Sequence, residues 1–126
     1  MKQLCAVFAT LMMATVAHAE LPSANAGAIR AALSSGKPTV ADFGARTCIP
    51  CKKMAPILEE LSRELKGKAN VLFTDVWATP DLAQNNHIQM IPTQIFFDAK
   101  GREVKRHIGF IEKADILKEL KVAGLK

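Results

Sequence analysis

Between Thr39 and Val76 the hydrophobic pattern changes period twice, and few folds accept that order. "TVADF" has strand composition and is too apolar for a half-exposed strand, so it is expected to be central and covered on both faces. From Cys48 the apolar residues fall at helical spacing instead. Met54, Leu58, Leu61 and Leu65 stand at i, i+4, i+7 and i+11, one buried stripe that ends at "KGKAN". "VLFTDV" then returns to strand composition. Strand, helix and strand in this order form a right-handed parallel crossover. Pro56 lies inside the helix and is expected to kink it, because proline removes a backbone donor and clashes with the preceding turn.

The flanking segments extend this unit. "SANAGAIRAALSSGKP" predicts a first helix capped by Ser23 or Asn25, with Ile29 and Leu33 on one face and Gly36 and Pro38 at its end. "TPDLAQNNH" predicts a short helix with Thr79 as N-cap and Pro80 at its first position. "TQIFFD" and "EVKRHI" around "AKG" predict a hairpin. "EKADILKEL" closes the chain as an amphipathic helix, with Ile116, Leu117 and Leu120 inward and Lys113, Lys118 and Lys121 outward. The expected class is α/β, a central mixed sheet of about four strands with helices on both faces.

A chain of 126 residues suggests one domain with a short appendage. After "MKQ", the run "LCAVFATLMMATVA" is apolar, and "AHA" at Ala17 to Ala19 has the small-x-small pattern of a signal-peptidase site. Crossing a bilayer takes about 20 apolar residues, so this run is short for a span. We expect a cleaved secretory signal over residues 1–19 and one domain over 20–126; an uncleaved amino-terminal anchor is the other reading. Cleavage removes Cys5, which no lipoprotein box precedes, and leaves Cys48 and Cys51 as the only cysteines. It also removes Lys2, lowering an already mild net charge of +5. The cations are scattered, without a long basic run or interleaved aromatics, which argues against nucleic acid as a partner. With 49% hydrophobic residues and no linker, low-complexity tract or repeat, the remainder can form one compact core.

The chemistry concentrates in "RTCIPCKK", Arg46 to Lys53. A c-type haem anchor needs histidine after the second cysteine, and Lys52 stands there. A structural zinc needs four ligands, and His87 and His107 are spaced unlike any finger or ribbon; they read as surface residues. As a staple the pair has little value, since closing so short a loop restricts the unfolded chain by only roughly 2 kcal/mol, against roughly 4.7 for a hundred-residue loop. Redox chemistry uses the spacing directly. At the start of a helix the Cys48 sulfur meets unpaired N–H groups and the positive end of the dipole, which favour thiolate. Cys51, one turn on, lies on the same face and can reach it. Arg46, Lys52 and Lys53 add positive potential or are simply solvated.

These residues resemble the thioredoxin family over essentially the whole segment that follows the signal. The matching run is "VADFGARTCIPCKKMAP": an aspartate in the strand, the CxPC motif, a lysine after it, and a proline five residues beyond the second cysteine. "IQMIPT" is similar to the family's Ile-Pro-Thr loop, and "AKGREV" and "HIGF" match its hairpin and the approach to its last helix. The resemblance implies a cis Ile91–Pro92 bond beside the cysteines and an Ile91 backbone that pairs with extended substrate. It also makes Thr93, Ile49 and Pro50 parts of the substrate surface. From sequence alone, an aspartate in "VADFG" is more often a turn or capping residue; the resemblance reverses that reading, because Asp42 matches the buried family aspartate that helps the resolving thiol lose its proton. Three departures stand out. Thr47 and Gly44 occupy positions where the family usually has tryptophan, and Phe73 stands where a lysine often accompanies the aspartate.

The implied activity is that of a protein-disulfide reductase. Cys48 is the expected nucleophile and Cys51 the resolving thiol, with no cofactor or metal beyond the Cys48–Cys51 couple. Ile49–Pro50 keeps the proline of reducing thioredoxins and lacks the histidine frequent in oxidases, which favours reduction. A disulfide oxidase or isomerase, and a non-catalytic peptide-binding module of the same fold, are the alternatives. The expected partners are disulfide-containing proteins and, for a periplasmic or otherwise exported protein, a membrane thiol electron donor. The protein itself is expected to be a monomer without stable membrane insertion. Trp77 is expected to pack at the end of the second strand, Met90 to fill a core gap, and Arg102, Lys105 and Arg106 to guard a sheet edge.

Overall fold

The computed structural model describes residues 20–126; the expected signal over residues 1–19, Cys5 included, lies outside them. The elements follow the order α1 (Ala26–Leu33), β1 (Thr39–Gly44), α2 (Ile49–Glu64), β2 (Asn70–Asp75), α3 (Pro80–Asn85), β3 (Thr93–Phe97), β4 (Glu103–Ile108) and α4 (Lys113–Val122). The four strands form one mixed sheet in the order β2-β1-β3-β4. β1 runs parallel to β2, as the crossover requires, and antiparallel to β3, which forms the hairpin with β4.

All six residues of β1 are buried, so the expectation of a central strand covered on both faces holds. Alternation along the strands sorts their side chains into two layers. Val40 and Phe96 pack with Met54, Leu58 and Leu61 of α2 and with Ile116 and Leu120 of α4. Ala41, Phe43, Ile95 and Phe97 pack on the other side with Ile29 of α1, joined at the margin by Leu82 and Ala83 of α3. The stripe read from the sequence is therefore the face of α2 that meets the sheet. The helix continues as one element through Pro56, which is exposed. Lys113 at the start of α4 bridges Glu60 and Glu64 of α2, tying the two helices of that layer together.

The ends of the helices sharpen several expectations. Asn25 caps α1 by accepting the Ala28 N–H, while the Ser23 hydroxyl accepts the Asp75 N–H and fastens the segment before α1 to the end of β2. Thr79 stands at the N-cap of α3 with Pro80 behind it, but its hydroxyl donates to the Asp75 carbonyl and leaves the helix end without a side-chain cap. Two expectations fail. Trp77 is 73% exposed in the turn after β2, and Met90 is 63% exposed before β3, because each falls where the chain has already left the sheet.

The hairpin turn is held by Asp98, whose carboxylate accepts the backbone N–H groups of Lys100 and Arg102 and pairs with the Arg102 guanidinium. Those bonds hold its carboxyl below the usual range. Gly101 completes the turn at φ +77°, and a Cβ there would stand 2.8 Å from the Leu33 carbonyl oxygen of α1. Gly36 has a similar φ of +76° with open space around it. Gly36→Ala is expected to lose about 1 kcal/mol, the cost of a left-handed conformation. Gly101→Ala must also displace backbone, so urea unfolding should show at least twice that loss.

Candidate active site

The carboxyl-terminal ends of β1 and β2, the start of β3 and the end of β4 share one edge of the sheet, by their parallel and antiparallel registers. Cys48 lies at this edge as the N-cap of α2, in extended conformation, and its sulfur accepts the Cys51 N–H at 3.4 Å. Cys48 and Cys51 are joined in a disulfide with Cα atoms 5.1 Å apart. Their surroundings differ: Cys48 is half-buried, whereas Cys51 is 4% exposed and turned to the sheet. The helix start thus surrounds the outer sulfur with amide donors and the positive dipole end, and the inner sulfur with protein.

Beneath Cys51 lies Asp42. It is fully buried, and alternation places it on the α2 side of β1 together with Val40. Its Oδ1 accepts a hydrogen bond from Gln94 Nε2 at 2.8 Å, while Oδ2 has no partner. Burial pushes the Asp42 carboxyl up to about 7, and the Gln94 hydrogen bond acts in the opposite direction. A carboxyl with that value is divided between its two forms near neutrality, the condition suited to accepting and returning a proton.

The departures from the family pattern acquire positions here. A Cβ on Gly44 would lie 3.3 Å from Cys51 Sγ and 3.4 Å from Asp42 Oδ2, so the absent side chain leaves open the space that sulfur and carboxyl both border. Phe73 is the partner of Asp42 across the β1–β2 ladder. Where a lysine was looked for, its ring carries the Arg46 guanidinium, 4.2 Å from the ring centroid. Arg46 also pairs with Glu20 and donates to the Leu21 carbonyl, which anchors the start of the described chain beside the redox pair. Of the three cations suggested by the sequence, Arg46 is therefore engaged in structure, while Lys52 and Lys53 are exposed.

The Ile91–Pro92 bond is cis. The β1–β3 register pairs Phe43 with Thr93, so its continuation sets Pro92 across from Gly44, beside Cys51. Thr93 is buried and its hydroxyl donates to the Met90 carbonyl, while the Pro92 carbonyl accepts the Gly109 N–H, so the loop is held from both ends. Ile91 remains half-buried. Ile49, Trp77, Met90, Ile108 and Phe110 are exposed around this edge. They form an apolar rim suited to an extended polypeptide. The exposed Ile49 and Pro50 lie on the α2 side of the rim, and Trp77 forms a groove with Pro80, Ile88 and Ile91 on the other. His87 and His107 lie apart from the cysteines, the latter with its ring facing the Phe110 carbonyl. Among the described residues, no three His, Cys, Asp or Glu side chains converge as metal ligands. Gln94 was missed in the sequence; its signal was one amide in the otherwise apolar run of "TQIFF".

The thioredoxin family model matches residues 23–122. Thioredoxin from Mycobacterium bovis is 44% identical over 88 residues, covering 70% of this chain and 75% of that protein. The bifunctional thioredoxin reductase/thioredoxin of Mycobacterium leprae is 42% identical over 88 residues, but there the match spans 70% of this chain and only 19% of the larger protein. Among solved structures, a chloroplastic thioredoxin z superimposes with a TM-score of 0.71 at 28% identity, over 83% of this chain and 95% of that one. Family model, sequence relatives and fold agree, and the chain belongs to the thioredoxin family of thiol–disulfide oxidoreductases.

Proposed function

We propose that the protein reduces disulfides of exported proteins by dithiol exchange, with Cys48 as nucleophile and Cys51 as resolving thiol. The observation that carries this reading is the unequal placement of the two sulfurs: Cys48 half-exposed at a helix N-cap, Cys51 enclosed above a buried carboxyl. Cys48 thiolate attacks one substrate sulfur, and the other leaves as a thiolate. Cys51 then gives its proton to Asp42 and attacks Cys48, releasing the second substrate sulfur and restoring the disulfide. Ile91 offers its backbone to the substrate chain, Pro92 and Thr93 hold that edge in place, and Ile49 and Pro50 complete the apolar contact.

The exported setting rests on the apolar run and the "AHA" site within residues 1–19. No helix among the described residues is long and apolar enough to cross a membrane. In that setting a membrane thiol donor returns electrons to the Cys48–Cys51 pair. The proline of "CIPC" favours reduction over oxidation, and the reduction potential measured against glutathione buffers is expected near that of reducing thioredoxins, roughly −270 mV. A value near −120 mV would instead make the protein a disulfide donor.

Cys51→Ser is expected to accumulate substrate adducts through Cys48, visible as bands on non-reducing gels and lost with dithiothreitol. Cys48→Ser should form none and should not accelerate insulin precipitation by dithiothreitol. Adducts of equal yield from both variants would reverse or abolish the assignment.

Asp42 carries a stability signature of its own. Its folded-state value near 7 lies above the value of an exposed aspartate, so between about pH 4 and pH 7 the folded protein retains a proton that the unfolded chain has released. The Asp42 contribution to stability therefore falls as pH rises through this window, by up to about 1.4 kcal/mol per pH unit, and is level above it. Asp42→Asn lacks this titration. Denaturation of the oxidised proteins should show the variant gaining on the wild type from pH 4 to pH 7, with a constant difference at higher pH.

A further inference from the structure

Gln94 takes no part in the exchange as written, yet its setting is hard to explain by packing. The amide is fully buried in β3, directly across the antiparallel register from Asp42, and its strand neighbours Ile95, Phe96 and Phe97 are apolar. Nε2 donates to Asp42 Oδ1 at 2.8 Å while its own Oε1 is left without a partner. An enclosed amide oxygen without a hydrogen bond is unfavourable, and an apolar side chain of similar size would avoid it.

The geometry of the carboxyl suggests what the amide does. Oδ1 is held by Gln94, so the plane of the group is fixed from that side. The other oxygen borders the space opened by Gly44, and Cys51 Sγ borders the same space. We infer that Gln94 is a positioning residue for the resolving step: by holding Oδ1 it aims Oδ2 at Cys51 and keeps Asp42 hydrogen-bonded with or without its proton. An amide suits both states, since its NH₂ donates to the carboxylate and, turned over, its oxygen accepts from the acid. Methionine or leucine can do neither. The bond to the charged form is the stronger, so Gln94 favours the carboxylate against the effect of burial.

The step served is balanced within the site. The Cys51 proton passes to Asp42 Oδ2, and a bond forms between Cys51 and Cys48. The Cys48–substrate bond breaks with its electron pair on the substrate sulfur, which is reduced as the cysteine pair is oxidised. Other groups on this face are few. Phe73 flanks Asp42 on β2 with Arg46 on its ring, α2 presents Cys51, and the buried residues of α4 are Ile116 and Leu120. His107 of β4 stands next to Gln94 in the same cross-strand row, so it must be tested too.

This inference rests on the proton transfer to Asp42 assigned above, and the experiment separates the two. The reduced protein is mixed with an aromatic disulfide that releases a coloured thiolate, first on Cys48 attack and again when Cys51 resolves. The rate of the second phase is followed against pH in wild type, Gln94→Met, Gln94→Leu, Asp42→Asn and His107→Asn. The Asp42 carboxyl is titrated by carbon NMR in the same reduced proteins. Expected is an upward move of about one pH unit in both the second-phase midpoint and the Asp42 titration for each Gln94 variant, with a several-fold slower second phase below the midpoint. If neither moves while Asp42→Asn removes the midpoint, Gln94 is a packing residue and the inference fails alone. A carboxyl titration that moves without the kinetic midpoint overturns the inference by removing Asp42 from the step. A midpoint that follows His107→Asn instead overturns it as well.

Discussion

The carboxyl of Asp42, enclosed in a strand with no exposed residue and given one hydrogen bond, sets the terms for the active end of this protein. Its charged form is disfavoured by burial, its neutral form has no acceptor for its proton in the arrangement seen, and a single amide moderates the balance. Such a group is tolerable only in a rigid frame, because water admitted at random would return it to an ordinary acid. The frame is the two-layer core, in which α2 and α4 close one face of β1 and α1 and α3 close the other. The same helix that seals Asp42 from solvent carries Cys51 above it.

Topology brings the remaining pieces to the same edge. Parallel β1 and β2 end there, antiparallel β3 begins there behind the cis Ile91–Pro92 bond, and β4 ends there at Ile108. The loops at this edge carry apolar side chains that the core cannot cover. Trp77 and Met90 belong to this group: both look like core residues by type, and both are exposed because their backbone has left the sheet. The property that misled a reading by composition is the one that makes the rim suitable for an unfolded segment of another protein.

Much of the site was legible because its residues lie close in the chain or match a linear pattern. The cysteine pair, the buried stripe of α2 and the Ile-Pro-Thr loop are examples. The capping of α1 was narrowed to two residues, and the choice of Asn25 over Ser23 depended on where β2 ends, since Asp75 engages the Ser23 hydroxyl. Thr79 was placed correctly at its helix start, but its hydroxyl turned to a carbonyl of the preceding turn. Gln94 stood in view as a polar residue within a strand, and nothing in its immediate neighbours could connect it with an aspartate fifty-two positions earlier.

The sequence by itself determined the order of elements, the α/β class, the helix that begins at Cys48 and the pairing of two thiols one turn apart, because each is written in local periodicity or spacing. Tertiary structure decided which groups meet. Strand register alone set Phe73, Asp42 and Gln94 in one row, and only the packing of α2 on that row joined the open side of Gly44 to both Cys51 and the carboxyl. The acidity of Asp42 was decided there as well. It depends on exclusion of water and on one cross-strand amide, and neither is a property of the residues beside it in the chain.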